Sequence, residues 1–138
     1  EAQYRIPWIV FDRDQVHNFD QIIADAQKAD IHVGWSNPCF EIWMFAYFGN
    51  MPAIQESWTC CSKFGELYKA RTKQTYSKAD TNLYKRLCEF GDEEKALQTA
   101  AQKYEQCLRE GKVIPSQMCP ATTVHELVEE IRNKIANA

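Results

Sequence analysis

Two carboxylates separated by one residue, Asp12 and Asp14, are the first groups in the sequence whose chemistry suggests a function. They follow directly on the apolar run of residues 8–11. Carboxylate oxygens are ligands that Mg²⁺ and Mn²⁺ prefer, and a cation held by them can polarise a phosphodiester and supply a hydroxide. The competing interpretation is a pair of solvated loop residues, because charged residues commonly follow buried strands.

Glu41 is the second candidate, since no other formally charged residue lies between Ile31 and Gln55. A carboxylate among apolar residues carries a large desolvation cost unless it is paired or coordinated. Its position in the first turn of a predicted helix also favours an anion. It is interpreted either as a metal ligand or general base beside the two aspartates, or as a structural partner of Arg13 or of backbone N–H groups.

Four further residues are candidates for binding phosphate or substrate. Asn37 precedes a predicted helix, where free N–H groups attract anions, although it is equally suited to cap that helix. Lys78 lies in a polar loop beside Tyr76, and the pair suggests a phosphate contact and base stacking, or simply a solvated loop. Arg13 lies between the two aspartates and His17 follows Asp14 by three residues; both are interpreted as substrate contacts or as loop residues.

The elements that must position these groups begin with a strand, a helix and a second strand within residues 6–36. The run 8–11 is continuously apolar, which predicts a strand buried on both faces, and residues 31–35 predict the second strand. Between them, apolar residues spaced by three and four predict a helix that Asn18 caps. A parallel crossover of this size brings Asp12, Asp14 and Asn37 to the same edge of the sheet, where ligands bind in open α/β proteins.

The pattern of residues 37–138 predicts only helices. The segment 38–48 is apolar nearly all round and should be buried, with Asn37 as its cap. Amphipathic helices are predicted near 54–71, 80–90, 92–110 and 123–136, and a loop is predicted at 71–80. The last helix is opened by a capping box from Thr123 to Glu126.

The predicted fold class is therefore α/β and helix-rich, with a partial parallel sheet at the N-terminus. Because two parallel strands are too few for a stable sheet, we expect a fragment that lacks N-terminal strands; the alternative is a self-contained, mostly helical domain.

Composition narrows the class of protein. The 138 residues are 45% hydrophobic and 25% charged, as in an ordinary globular domain, which argues against a disordered chain. The formal net charge of −3 excludes a uniformly basic nucleic-acid-coating protein, although a local basic patch remains compatible with it. No apolar run reaches about 18 residues and the N-terminus has no signal-peptide pattern, so we expect a cytoplasmic protein that does not enter a membrane.

The cysteines do not form a recognisable zinc motif. There is no C-x-x-C pair, and the adjacent Cys60 and Cys61 have poor chelating geometry. With irregular spacing and no secretion signal, disulfides are not favoured either. We therefore expect reduced structural thiols at all six positions: Cys39, Cys60, Cys61, Cys88, Cys107 and Cys119.

Four strings of the sequence are distinctive when taken together. They are Trp8-Ile9-Val10-Phe11-Asp12-Arg13-Asp14, Ser36-Asn37-Pro38-Cys39-Phe40-Glu41-Ile42-Trp43, Tyr76-Ser77-Lys78 and Pro120-Ala121-Thr122-Thr123-Val124. Together they resemble the RloB-like family of prokaryotic phage-defence and abortive-infection proteins. The resemblance runs from about residue 7 to 130, and its most specific part is the long string after the second strand.

That resemblance implies a Toprim-like fold and a single RloB-like domain over residues 1–138. Toprim proteins bind divalent metal for phosphoryl transfer through a glutamate and a D-x-D motif, which places Asp12 and Asp14 on the D-x-D. The resemblance thus implies an Mg²⁺- or Mn²⁺-dependent nuclease acting on nucleic acid, in which Asp12 and Asp14 hold the metal. The isolated charge of Glu41 at the same edge adds it as the third predicted catalytic residue. The alternative is a non-catalytic module that binds a partner ATPase.

Two departures from the family pattern qualify this expectation. Relatives often carry an acidic motif of the type E-G-x-x-[ST]-E that this sequence lacks, which agrees with a missing N-terminal part and suggests an inactive fragment. Tyr47 stands where relatives often have a histidine, so that histidine's role is not transferred.

Overall fold

The predicted strand–helix–strand unit is present, and its two strands belong to a small mixed sheet. The computed structural model describes residues 6–14 and 16–137. β1 (Trp8–Asp12) pairs in parallel with β2 (His32–Asn37), as the sequence predicts, from Trp8 opposite His32 to Asp12 opposite Ser36. A two-residue strand, β3 (Ala121–Thr122), adds antiparallel to the other side of β2, giving the order β1-β2-β3.

Helices make up most of the rest of the described chain. Two single 3-10 turns cover Ala46–Phe48 and Pro115–Gln117. The α-helices are α1 (Phe19–Lys28), α2 (Glu41–Phe45), α3 (Ser57–Thr72), α4 (Leu83–Phe90), α5 (Glu93–Arg109) and α6 (Val124–Ala136). The predicted helix-rich α/β class is confirmed. Within residues 6–14 and 16–137, no helix combines the length and apolar character needed to cross a bilayer.

The apolar helix predicted near 38–48 lies at the centre of the larger core. All five residues of α2 are buried, because the helix packs against both α3 and α5. Phe64 and Tyr68 of α3 are fully buried against it, and Phe45 meets Phe64 edge to face. A second, smaller cluster packs α1 on β2, where Phe19 contacts Trp35.

The expectation that residues 8–11 are buried on both faces is wrong. Ile9 is 37% exposed and Val10 is 47% exposed. The physical reason is topological: β1 is at the edge of the sheet, and in the described part of the chain β2 is its single partner.

One predicted helix cap, Asn37, is wrong, and two others, Thr123 and Asn18, lie at the predicted N-cap position without a side-chain cap hydrogen bond. Asn37 is the last residue of β2 and its Nδ2 donates to the Pro115 carbonyl at 3.1 Å, so the helix begins later, at Glu41. The Thr123 hydroxyl accepts from the Trp35 N–H and donates to the Val33 carbonyl, which fastens the chain to β2. Asn18 precedes α1 without a side-chain cap hydrogen bond.

Candidate functional site

A cavity of about 340 Å³ lies at the carboxyl end of β1. Its polar groups come from three separate parts of the chain: Asp12 ends β1, Glu41 begins α2, and Tyr76 and Lys78 belong to the loop between α3 and α4. The apolar wall is formed by Val10, Phe11, Phe40, Met44 and Leu83. The sheet edge chosen from the sequence therefore does border a cavity with two carboxylates and an ammonium group.

Asp12 links the end of the strand to the start of α2. Its Oδ2 accepts a hydrogen bond from the Phe40 N–H at 3.2 Å. Beside it, the Arg13 N–H continues the parallel ladder by donating to the Ser36 carbonyl at 2.9 Å. Asp12 is thus fixed at the cavity through one oxygen, and Oδ1 has no protein donor among the described residues.

Glu41 is fully buried and interacts with the loop that carries the predicted phosphate ligand. Its Oε2 accepts from the Tyr76 hydroxyl at 2.7 Å and lies 3.4 Å from Lys78 Nζ. Its Oε1 is buried without a hydrogen-bond donor in the described chain. The ion-pair partner is therefore Lys78 rather than Arg13, because Arg13 turns away and donates to the Ser116 carbonyl at 2.9 Å.

The charge of Glu41 follows from opposing contributions to its pKa. Burial raises the pKa of this carboxyl, but the Tyr76 hydroxyl, its own backbone N–H and Lys78 lower it by more, so that the net pKa is below the ordinary value. In return, Glu41 raises the pKa of Lys78. Glu41 is therefore a carboxylate at neutral pH and a weak proton acceptor, which favours a ligand or positioning role over that of a general base.

Asp14 does not line the cavity with Asp12. It is exposed in the turn after β1, with φ at 28°, and its N–H donates to the Pro38 carbonyl at 2.9 Å. Residues two apart share a side only while the strand continues. Because β1 ends at Asp12, strand alternation does not place the side chain of Asp14 on the same side as that of Asp12.

Of the four residues predicted to bind phosphate or substrate, Lys78 alone lines the cavity. Asn37 is 1% exposed and its amide is committed to Pro115. Arg13 is directed to Ser116, and His17 is exposed in the turn before α1. Tyr76, interpreted as a possible base-stacking residue, instead packs edge to face on Phe64 and supports Glu41.

Two cysteines that sequence reasoning assigned to packing lie beside Glu41. One ligand atom each from Cys39, Glu41 and Cys61 fall within 4.8 Å of one another, and the two sulfurs are 3.8 Å apart. Cys39 lies between β2 and α2, and Cys61 lies 22 residues later on α3, so no short motif reveals the group. The one feature of the sequence that could have indicated this group is the isolated charge of Glu41, two residues after Cys39. All six cysteines are free thiols, as predicted.

Comparison with known protein families gives a match over most of the chain. A protein-family model described as RloB-like protein matches residues 1–131. No curated protein and no solved structure matches the chain.

Proposed function

The chain belongs to the RloB-like family, and from that premise we propose that the protein is a metal-dependent phosphodiesterase of prokaryotic phage defence. The observation that carries the proposal is the presence of Asp12, Glu41 and Lys78 in a single cavity at the carboxyl end of β1. Carboxylates and an ammonium group around one space are what phosphoryl transfer needs to hold a cation and orient a phosphate.

The groups at this cavity fit Mg²⁺ or Mn²⁺. Asp12 uses Oδ2 for the Phe40 N–H, which leaves Oδ1 as an oxygen ligand. Mg²⁺ is commonly bound through one or two carboxylates and keeps several waters. Asp14 lies outside the cavity, so the proposal now assigns the cation to Asp12 and waters, without the second aspartate that the sequence predicted.

Each protein group then has a definite role. A bound cation supplies the polarisation of the phosphodiester. The Lys78 side chain is 70% exposed, so its ammonium can contact a phosphate oxygen while Glu41 holds it at the cavity. Glu41 in turn is held by Tyr76, which makes these two residues positioning residues for Lys78.

The test is cleavage of labelled DNA and RNA by the full-length protein with Mn²⁺ or Mg²⁺. Asp12→Asn preserves the shape of the side chain and removes its charge, and we expect cleavage to fall by at least about 100-fold, since outer-shell partners of a metal alone contribute about 10–100-fold. Asp25→Asn, on an exposed position of α1, is the matched control and should retain activity. Unchanged cleavage and metal binding in Asp12→Asn would overturn the proposal.

A second candidate function is a non-catalytic module that binds a partner ATPase. Two observations favour it: Glu41 is already engaged by Tyr76 and Lys78, and edge strand β1 exposes Ile9 and Val10. A strand edge of this kind is a template for pairing with another chain. If this function is correct, Asp12→Asn leaves protection from phage intact, while Val10→Lys abolishes both protection and co-purification of the ATPase.

A further inference from the structure

We propose that Cys39, Glu41 and Cys61, the thiol–carboxylate cluster, form a binding site for a soft divalent cation, with Zn²⁺ the best match. This site is separate in chemistry from the oxygen-only site proposed at Asp12. Cys39 precedes α2, Glu41 is its first residue, and Cys61 lies near the start of α3, so that the packing of α2 on α3 creates the cluster.

The spacing of the ligand atoms suits a tetrahedral ion. With zinc–sulfur bonds of about 2.3 Å, tetrahedral geometry places two sulfur ligands about 3.8 Å apart. The Sγ atoms of Cys39 and Cys61 are 3.8 Å apart. A disulfide would require a separation of about 2.05 Å, so the two side chains are arranged as neighbours rather than as a bonded pair.

The unpartnered oxygen of Glu41 is an independent observation that points to a ligand. Glu41 is 0% exposed, and while Tyr76 and Lys78 contact Oε2, no described group donates a hydrogen bond to Oε1. Hydrogen bonding by the Cys61 thiol contributes to the lowered pKa of Glu41, although no described donor reaches Oε1 itself with ordinary hydrogen-bond geometry. Leaving a buried carboxylate oxygen without a partner is costly, and a cation between this oxygen and the thiols removes that cost.

The ligand types decide which ion fits. Sulfur ligands select zinc and other soft ions, whereas Mg²⁺ and Mn²⁺ prefer oxygen. Three protein ligands with a fourth position left to water is an established zinc arrangement. Cys61 is only half-buried, which gives an ion a route from solvent. The Tyr76 hydroxyl, which donates a hydrogen bond to Oε2, would fix the orientation of the carboxylate as a ligand.

Binding must displace protons. Zinc binds Cys39 and Cys61 as thiolates, whereas an ordinary cysteine is mostly the protonated thiol at neutral pH. Each loses one proton to solvent as its sulfur–metal bond forms, so that apparent affinity increases with pH.

The experiment measures metal binding to the full chain in reducing buffer, with Zn²⁺ and Co²⁺ as the probes. We expect one Zn²⁺ per chain by elemental analysis and, with Co²⁺, the near-ultraviolet charge-transfer absorption that thiolate ligands produce. Cys39→Ser and Cys61→Ser should each lose this absorption. Cys88→Ser, at an exposed thiol outside the cluster, is the matched control and should keep it.

Two further measurements keep the proposal testable whether or not the serine variants fold. Tyr76→Phe keeps the ring and should weaken Zn²⁺ binding by about 10–100-fold as an outer-shell change. Asp12→Asn should retain Zn²⁺, which separates this site from the phosphodiesterase proposal. The inference would be overturned if the reduced wild-type chain bound no Zn²⁺, or if its Co²⁺ spectrum lacked the thiolate band. A disulfide between Cys39 and Cys61 in the wild-type protein before reduction would also overturn it.

Discussion

At the residue scale, Glu41 is the most informative side chain because it is a fully buried carboxylate with three kinds of neighbour. Tyr76 and Lys78 contact one oxygen, the thiols of Cys39 and Cys61 lie near the carboxylate, and Asp12 is across the same cavity. Removing one partner of a buried charge leaves the other unpaired, which costs more than the pair contributes. Substitutions here should therefore affect stability as well as function.

The first prediction concerns the pH dependence of stability. The pKa of Glu41 is below its ordinary value of 4.5, so folding favours the ionised form. Its contribution is fully present above about pH 4.5 and is lost as the pH falls through the lower, folded value. We expect Glu41→Gln to be less stable than wild type at about pH 7 and to lose less stability on acidification to about pH 3.5. Urea unfolding of metal-free, reduced protein measures both.

Glu66→Gln is the matched control for this prediction, since Glu66 is exposed on α3. It should follow the wild-type pH profile. A Glu41→Gln profile parallel to that of wild type would contradict the assignment of a depressed pKa.

At the scale of elements, the turn between α4 and α5 is held by a close backbone approach. Gly91 ends α4, its N–H donates to the Leu87 carbonyl, and the next N–H, of Asp92, donates to the Tyr47 carbonyl at 2.9 Å. A Cβ added at Gly91 would lie 2.6 Å from the Tyr47 oxygen and 2.7 Å from the Leu87 oxygen. Both obstacles are backbone atoms, so the helices must move to accept a side chain.

The second prediction compares two glycines. Gly91→Ala should destabilise the protein by about 1–3 kcal/mol through overpacking. Gly65→Ala, within α3 and with nothing within 4 Å of the added Cβ, should stabilise it by up to about 1 kcal/mol through helix propensity. Thermal and urea unfolding of both variants provide the measurement, and effects of the same sign at the two positions would contradict the packing assigned to Gly91.

At the scale of the whole molecule, an aromatic cluster connects the main core to the site. Phe64 is 0% exposed and contacts Phe45 and Tyr76 edge to face, with ring centroids 5.4 and 4.9 Å apart. Tyr76 donates to Glu41, so the side chain that bonds the buried carboxylate is itself held by the core. Packing changes in α3 should therefore alter the position of Tyr76 and, through it, of Glu41 at the cavity.

The third prediction is that Phe64→Ala costs about 3–5 kcal/mol, the usual range for removal of a buried phenylalanine. That is a large part of the roughly 5–15 kcal/mol that stabilises a typical domain. Phe90→Ala, at a position 44% exposed, is the control and should cost much less. Equal unfolding midpoints for the two variants in urea would show that Phe64 does not have the central place in the core described above.

The sequence by itself determined the helix-rich class, the parallel pairing of the first two strands, the family, and the burial of Glu41 in an apolar helix. These features depend on local periodicity and on uninterrupted strings, which the order of residues contains directly. It did not predict β3, because two residues carry no periodicity, nor the exposed face of β1, because burial depends on which neighbours a strand has.

Only the tertiary structure decided which polar groups meet. Asp12 and Asp14 are two positions apart and separate because the strand ends between them, whereas Lys78, Cys39 and Cys61 meet Glu41 from three different segments. Side-chain proximity across elements is set by how helices pack and where turns fall, and short-range spacing cannot encode it. The same packing places two sulfurs beside a buried carboxylate that has one oxygen without a hydrogen-bond donor in the described chain, which is the physical basis of the proposed zinc site.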